Sequence, residues 1–273
     1  MHNKVGAVVI LIAIGLLSSC ALTWPSRDVF WHGIIFTLSG RRLLGLVLLG
    51  LACAGTDFIV HEHPRVPSQQ QNPTSCSTEA QYPFLHWILP AALTTAVWGL
   101  LARPGPLEAK AIGIAITSAA LALLLYAEYY AVNSTRYWGA LAQFALQLAT
   151  YLLAALVYFT IHECISVARI AADTVAVASA LLSLRLLGDE HLPSFSRVSL
   201  CTLGVGSLLG IISWWLLPRV ASPLLYSFSL IIFLYGLTGI ARQFLRGKFS
   251  REISLEYLLV SVLALLMLFL YSR

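Results

Sequence analysis

Nine long and continuously apolar runs constrain the fold of this chain more than any short motif does. As α-helices rising about 1.5 Å per residue, the runs are long enough to cross a hydrocarbon core of about 30 Å with some tilt. The sixth run is the least apolar at its ends, because Asp173 and Arg185 lie there. The runs are residues 5–22, 43–60, 84–102, 111–132, 138–161, 170–187, 198–217, 224–241 and 256–271.

These runs are best explained as membrane-spanning helices. Charged residues make up 11% of the 273 positions and apolar residues 59%, whereas a soluble domain carries about 25% charged residues. In lipid, the hydrogen bonds of backbone groups can be satisfied only within helices or closed barrels. Strands of a barrel alternate between apolar and polar residues with a period of two, and these runs show no such alternation. The sequence therefore predicts an all-α polytopic transmembrane bundle of about nine spans, forming a single integral membrane domain over residues 1–273.

The first run has two interpretations. MHNK gives a basic start and VGAVVILIAIGLLSSC an apolar run, a combination typical of a signal peptide. LSSC, residues 17–20, resembles the lipobox of bacterial lipoproteins. Cleavage before Cys20 would make that cysteine the lipidated amino terminus of a chain with eight spans. The alternative is an uncleaved first span, because the apolar run continues to Leu22. Residues 1–22 are therefore either the first span or a signal peptide.

The segments between the runs differ in polarity. Residues 61–83, HEHPRVPSQQQNPTSCSTEAQYP, are the longest connection, and their polar, proline-containing composition predicts a flexible loop. The stretch DVFWHGIIFTL, residues 28–38, is too short to span and is interpreted as an interfacial or re-entrant piece. Alternate loops lie on opposite sides of the membrane. The densest positive cluster, at 242–251, lies on the amino-terminal side, which is therefore interpreted as cytoplasmic.

The stretch GTDFIVHEHP, residues 55–64, concentrates ionisable side chains at the end of the second run. Asp57 and His61 are four residues apart and share one helix face if the helix continues. His86 opens the third run and Glu128 closes the fourth, both on the amino-terminal side. We therefore expect these four side chains at similar depth, as a candidate proton or ion site. Carboxylate–imidazole sets can also bind a divalent metal.

The same four residues also have an interfacial or structural interpretation, which the sequence favours over a proton or metal site. All of them lie within about one turn of a predicted run end, where a side chain can extend to the membrane interface. His61 and His63 are two residues apart, and HEH lacks the second histidine of H-E-x-x-H. The spacing therefore assigns neither a metal nor a cofactor.

Other polar and small residues within the runs have simpler expected roles. His162 has no partner that the sequence indicates. Asp173 is expected to pair with a cation such as Arg169, one helical turn earlier. Gly206 and Gly210 form a GxxxG pattern, which lets helix backbones approach closely, and we expect it to pack within the bundle.

Several partners and chemistries lack support in the sequence. The net charge of +5 is scattered, without a basic stretch interleaved with aromatic residues, so no nucleic-acid partner is expected. The five cysteines are widely spaced and form no CxxC pair, which argues against a zinc finger or a disulfide framework. No Walker, dinucleotide-binding or G-x-S-x-G motif occurs. The expected partners are membrane lipids and other membrane proteins.

Four phrases of the sequence resemble an uncharacterised multi-spanning membrane protein family from bacteria such as the Chloroflexota. They are GTDFIVHEHP (55–64), HWILP (86–90), AEYYAV (127–132) and YGLTGIARQFLRGKFSREISLEY (235–257). The resemblance covers most of the chain after residue 40. It implies a helical bundle in a bacterial cytoplasmic (inner) membrane, and it carries no activity, cofactor or catalytic residue.

Three functions are compatible with these features. The first is a non-enzymatic membrane scaffold or accessory subunit, which the scarcity of charge within the spans favours. The second is a small-solute or ion permease that uses Asp57, His61 and Glu128. The third is a membrane-embedded enzyme acting on a lipid-linked substrate at the amino-terminal side, for which no catalytic residue stands out.

Overall fold

The chain is predominantly helical in the computed structural model, which describes residues 2–21, 26–31, 34–61, 85–132, 136–188, 195–247 and 251–271. Within these residues nine helices follow one another, and each coincides with one of the nine predicted runs to within one residue or extends beyond it, which confirms the helical prediction. Their bounds are α1 His2–Ala21, α2 Gly40–His61, α3 Leu85–Leu101, α4 Leu107–Val132, α5 Arg136–Cys164, α6 Ala168–Gly188, α7 Phe195–Leu216, α8 Pro223–Leu245 and α9 Arg251–Tyr271.

Helix length and composition decide which helices could cross a membrane. Among the described residues, five helices, α4 to α8, are both long and apolar enough. The apolar stretches of α1, α2 and α3 are shorter, namely Lys4–Cys20, Leu43–Ile59 and Leu85–Leu101. A helical fold with several helices of spanning length is therefore confirmed, and the full number of nine spans stays a prediction.

One part of the described chain departs from the all-α prediction. Strands β1 (Ser26–Trp31) and β2 (Ile34–Ser39) pair antiparallel, with Ser26 opposite Ser39 and Trp31 opposite Ile34. The segment is rich in Val, Ile, Phe and Trp, which favour extended backbone. The expectation that 28–38 is too short to span agrees with two six-residue strands, but its secondary structure was missed. The predicted loop 61–83 lies outside the described residues beyond His61.

Helix packing divides the chain into two units. The first unit comprises Met1–Pro64 and Leu89–Leu146, and α1 packs there against α2 and α4. Glycines allow α1 and α2 to approach closely in antiparallel directions. A Cβ atom on Gly55 would lie 2.5 Å from Val8 Cγ1, and one on Gly15 would collide with Leu48. The start of α1 therefore lies beside the end of α2.

The second unit comprises Arg65–Ile88 and Gln147–Arg273, and its closest helix pair is α6 with α7. A Cβ atom on Gly206 would lie 2.5 Å from the Ala176 carbonyl oxygen and 2.8 Å from Ala180 Cβ. A Cβ atom on Gly210 would lie 2.8 Å from Ala176 Cβ. The GxxxG pattern therefore packs within the chain, as predicted, because glycine leaves room for the facing backbone.

The connection between α7 and α8 is shaped by residues with clear local preferences. Ser222 precedes Pro223, the first residue of α8, and the Ser222 Oγ accepts a hydrogen bond from the Leu225 N–H at 3.5 Å. Serine is favoured at this capping position and proline at the first helical position.

At the other end of α8, Gly247 follows the helix with a φ of +65°, which glycine adopts without steric cost.

The α6–α7 contact gives a direct test of this packing. We expect Gly206→Ala to destabilise the chain by about 1–3 kcal/mol, the usual cost of inserting an atom into a well-packed interface. The matched control is Gly204→Ala in the same helix, because a Cβ atom there meets nothing within 4 Å. Thermal unfolding followed by circular dichroism compares the two variants. Equal melting temperatures would show that the close approach of α6 and α7 is wrong.

Candidate functional site

Glu128 lies on the buried stripe of α4. Leu121, Leu124 and Leu125 precede it at helical spacing and are buried, and Glu128 itself is 0% exposed. A carboxylate in such a position is costly in an apolar surrounding, which makes it a functional candidate by default. Among the predicted site residues whose side chains the structure describes, Asp57, His86 and Glu128, the burial of Glu128 is the most complete.

Asp57 lies in the last two turns of α2, half-buried. Its neighbour Thr56 is fully buried and its hydroxyl donates to the Ala52 carbonyl oxygen at 2.7 Å, within the same helix. The Lys4 ammonium group of α1 lies 4.8 Å from the centroid of the Phe58 ring, so a positive charge accompanies Asp57 at this end of the first unit. His61 ends α2, and its side chain lies outside the described part of the structure.

His86 belongs to the second unit and is nearly fully buried. Its neighbour Leu85 packs against Gly188 at the end of α6. A Cβ atom added to Gly188 would lie only 2.9 Å from the Leu85 Cδ1 atom. Arg185 is buried one turn before Gly188, and the Arg242 guanidinium donates from Nη2 to the Leu186 carbonyl oxygen at 3.0 Å. The end of α6 beside Leu85 therefore contains one buried arginine, Arg185, and accepts a hydrogen bond from another, Arg242.

The four predicted residues thus fall into two units, with Asp57, His61 and Glu128 in the first and His86 in the second. Their convergence on a proton or ion site stays a prediction. In the part of the chain that the structure describes, no group of three or more His, Cys, Asp or Glu side chains could hold a metal ion. Cys20 is a free thiol near the end of α1, and its lipidation also stays a prediction.

The sequence analysis missed a cluster of buried hydroxyl groups in the second unit. Tyr158 of α5 and Ser179 of α6 share a hydrogen bond of 2.8 Å between their side-chain oxygens. Ser213 of α7 and Tyr226 of α8 share a second one of 2.7 Å. All four residues are fully buried. These bonds tie α5 to α6 and α7 to α8.

His162 joins this hydroxyl cluster from α5. Its Nε2 lies 3.1 Å from the Val220 carbonyl oxygen in the α7–α8 connection, and its ring centroid lies 5.0 Å from that of Tyr226. The sequence indicated no partner for His162, and the structure supplies one in Val220. Because a carbonyl oxygen only accepts hydrogen bonds, Nε2 donates its proton to Val220. The imidazole fastens the α7–α8 connection onto α5.

The sequence contains one indication of the hydroxyl cluster, namely hydroxyl-bearing residues within apolar runs. Tyr158, Ser179 and Ser213 lie within apolar runs, where a hydroxyl group that does not reach water must find a protein partner. Intrahelical bonds to a carbonyl four residues earlier are the usual alternative, as for Ser183 with the Ser179 carbonyl oxygen at 2.6 Å. The sequence does not distinguish these two outcomes, because the partner across helices depends on the packing.

The fold and its internal bonds define a class of protein: a set of apolar helices of spanning length, joined by close small-residue contacts and by buried hydroxyl pairs. The chain belongs to a family described as a protein of unknown function (DUF5656), which matches residues 28–271. This membership confirms the predicted resemblance to an uncharacterised family. No curated protein and no solved structure matches the chain.

The Tyr158–Ser179 bond can be tested by a double-mutant cycle. We expect Tyr158→Phe and Ser179→Ala to be coupled by about 0.6 kcal/mol and at most about 1.7 kcal/mol, the range for hydrogen bonds between helices in an apolar surrounding. The measurement is the unfolding free energy of both single variants and the double variant. The control replaces Ser179→Ala by Ser199→Ala, since the Ser199 hydroxyl bonds within its own helix to the Phe195 carbonyl oxygen at 2.6 Å. That control cycle should be additive, and additivity in the test cycle would contradict the bond.

Proposed function

We propose that this chain is an integral membrane protein without enzymatic activity, serving as a scaffold or accessory subunit in the cytoplasmic membrane of a bacterium. The observation that carries the proposal is the exposed surface of the helices, which is apolar on one helix after another. The bacterial location is supported by the sequence phrases that resemble a bacterial membrane protein family.

Exposed large apolar side chains occur on each of the five helices of spanning length. Soluble monomers rarely leave contiguous apolar patches larger than a few hundred Å² in contact with water. Lipid tails are a favourable solvent for such side chains, and helices satisfy their backbone groups there without water. Examples, one for each of α4 to α8 and all between 62% and 73% exposed, are Leu123, Phe144, Val177, Leu200 and Phe244.

The buried hydroxyl groups bond to one another between helices, which supports the non-enzymatic part of the proposal. Tyr158 and Tyr226 are the largest fully buried side chains of the second unit that carry a hydroxyl group, and each bonds to a serine of a neighbouring helix. Hydroxyl groups engaged in this way stabilise one arrangement of the helices. A rigid bundle with an apolar exterior suits a scaffold, whose expected partners are membrane lipids and other membrane proteins.

Membrane residence is tested by fractionation of cells that express the full chain. We expect the protein to stay in the membrane pellet after an alkaline carbonate wash and to enter solution only with detergent, because the exposed side chains on the helices need an apolar solvent. A soluble protein expressed in the same cells serves as the control and should appear in the wash. Recovery of a monodisperse chain in detergent-free buffer would contradict the proposal.

Transport of an ion or a small solute is a second candidate function, and the full burial of Glu128 favours it. Ionisable groups inside membranes recur along ion and proton pathways. Asp57 of α2 belongs to the same unit, in which α2 packs on α4. On this proposal Asp57, His61 and Glu128 are the groups that exchange the ion or proton, with His86 as a further member.

Proteoliposomes that contain the full chain test the transport candidate. We expect Glu128→Gln to lower proton or solute flux to the level of protein-free vesicles, because the variant keeps the side-chain shape and removes the exchangeable charge. The matched control is Glu108→Gln, which removes an exposed carboxylate from the first turn of the same helix. Wild-type flux equal to that of protein-free vesicles, with folded protein present, would rule this candidate out.

A further inference from the structure

A groove runs along the exposed face of the α6–α7 pair in the second unit. Its buried floor is formed by the small residues Ala172 and Gly210, and its exposed rim includes Ile211 and Trp214. Its volume is about 530 Å³, within the range of roughly 300–1,000 Å³ for small-molecule sites. The close approach of two small-residue helices therefore leaves a space large enough for part of an amphiphilic molecule.

Two opposite charges line this groove. Arg169 lies in the first turn of α6, and Asp173 lies one turn deeper along the same helix; both side chains are exposed. Pairing between them was expected, but among the described residues neither has an ion pair or a hydrogen bond. That expectation is therefore wrong for this structure. A guanidinium and a carboxylate remain available to an occupant of the groove.

The charged end of the groove lies at the end of the α6–α7 pair where apolar helix gives way to polar residues. α6 and α7 run antiparallel, so Arg169 at the start of α6 lies at the same end of the pair as Trp214 in the last turn of α7. Immediately beyond, the Arg219 guanidinium lies 4.2 Å from the centroid of the Trp215 ring. Tryptophan and arginine at the ends of apolar helices are typical of headgroup depth. The groove thus leads from that depth towards the apolar middle of the helices.

We propose that this groove binds one phospholipid with an ethanolamine headgroup, an assignment that rests on the proposed membrane location. The phosphate accepts hydrogen bonds from the Arg169 guanidinium, the ammonium group donates to the Asp173 carboxylate, and part of one acyl chain lies on Ala172 and Gly210. Phosphorus and nitrogen are separated in this headgroup by one oxygen and two carbons. That separation is on the order of one helical turn, about 5.4 Å, which matches the step from Arg169 to Asp173.

Headgroup chemistry distinguishes ethanolamine from the common alternatives. A primary ammonium donates up to three hydrogen bonds, as a lysine side chain does, whereas the trimethylated nitrogen of choline donates none. A glycerol headgroup brings no positive charge to Asp173 and leaves the phosphate alone to interact with Arg169. The carboxylate therefore selects the headgroup, and the guanidinium binds the phosphate that all three lipids share.

Native mass spectrometry of the full chain in detergent, with equal additions of dioleoyl phosphatidylethanolamine, phosphatidylcholine or phosphatidylglycerol, tests the assignment. We expect phosphatidylethanolamine to bind about tenfold more tightly than the other two, the effect of one hydrogen bond to a charged group. Asp173→Asn should remove this preference. Arg169→Gln should weaken all three lipids by a similar factor.

Matched variants separate the groove from general effects on the chain. Glu108→Gln and Arg197→Gln remove exposed charges of the same signs elsewhere and should leave the preference unchanged. Ser207→Leu, which places a larger side chain in the groove, should weaken all three lipids. Gly204→Leu places the same side chain in open space on the same helix and should not.

Equal affinity of the wild-type chain for the three lipids, or a preference that survives Asp173→Asn, would overturn the assignment. If the wild-type chain forms a dimer that Asp173→Asn dissociates, a second copy of the chain occupies the groove, and the lipid assignment is wrong. If the chain needs detergent but shows no preference, only the lipid assignment fails. If the chain is monodisperse without detergent, the proposed membrane location fails with it.

Discussion

Internal satisfaction of the backbone is the constraint on which the rest of this structure depends. Runs of apolar residues with almost no charge offer their backbone amides no polar side chains to bond with, so each run must close its own hydrogen bonds as a helix. Once the helices exist, their association cannot rely on the exclusion of water if lipid surrounds them. It depends on close contact and on bonds between polar side chains. Both are seen in the second unit, in the Gly206–Ala176 approach and the Tyr158–Ser179 bond.

The bounds of the helices could be read from the sequence because one property, continuous apolarity, decides them. The predicted run 170–187 becomes α6 at Ala168–Gly188, and 111–132 becomes α4 at Leu107–Val132. The strand pair at Ser26–Ser39 escaped because its runs are shorter than a span and its composition fits an interfacial helix as well as a hairpin. Local composition alone does not choose between those two, since strand pairing depends on which segment lies opposite.

Side-chain partners across helices were beyond the reach of sequence reasoning for a different reason. His162 bonds to a carbonyl 58 residues later in the chain, and no spacing rule connects two such positions. Asp173 and Arg169 have the spacing of an ion pair on a helix surface, yet both face a groove instead of each other. Glu128 was identifiable as an ionisable residue near the end of an apolar run, and it is fully buried on α4. The close contact of α6 with α7 was predictable because small residues at GxxxG spacing mark such contacts, whereas individual side-chain partners depend on the packing of the helices.

The scaffold proposal and the lipid proposal depend on the same pair of helices. Small residues at Ala172, Ala176, Gly206 and Gly210 bring the backbones of α6 and α7 together, and the same small side chains leave the groove beside the contact. Larger side chains there would fill the space but would also force the helices apart, because the facing carbonyl oxygens already lie at contact distance. Close packing and an open groove are thus two results of one set of residues. A lipid in that groove would add bonds between a headgroup and α6 without disturbing the contact beneath it.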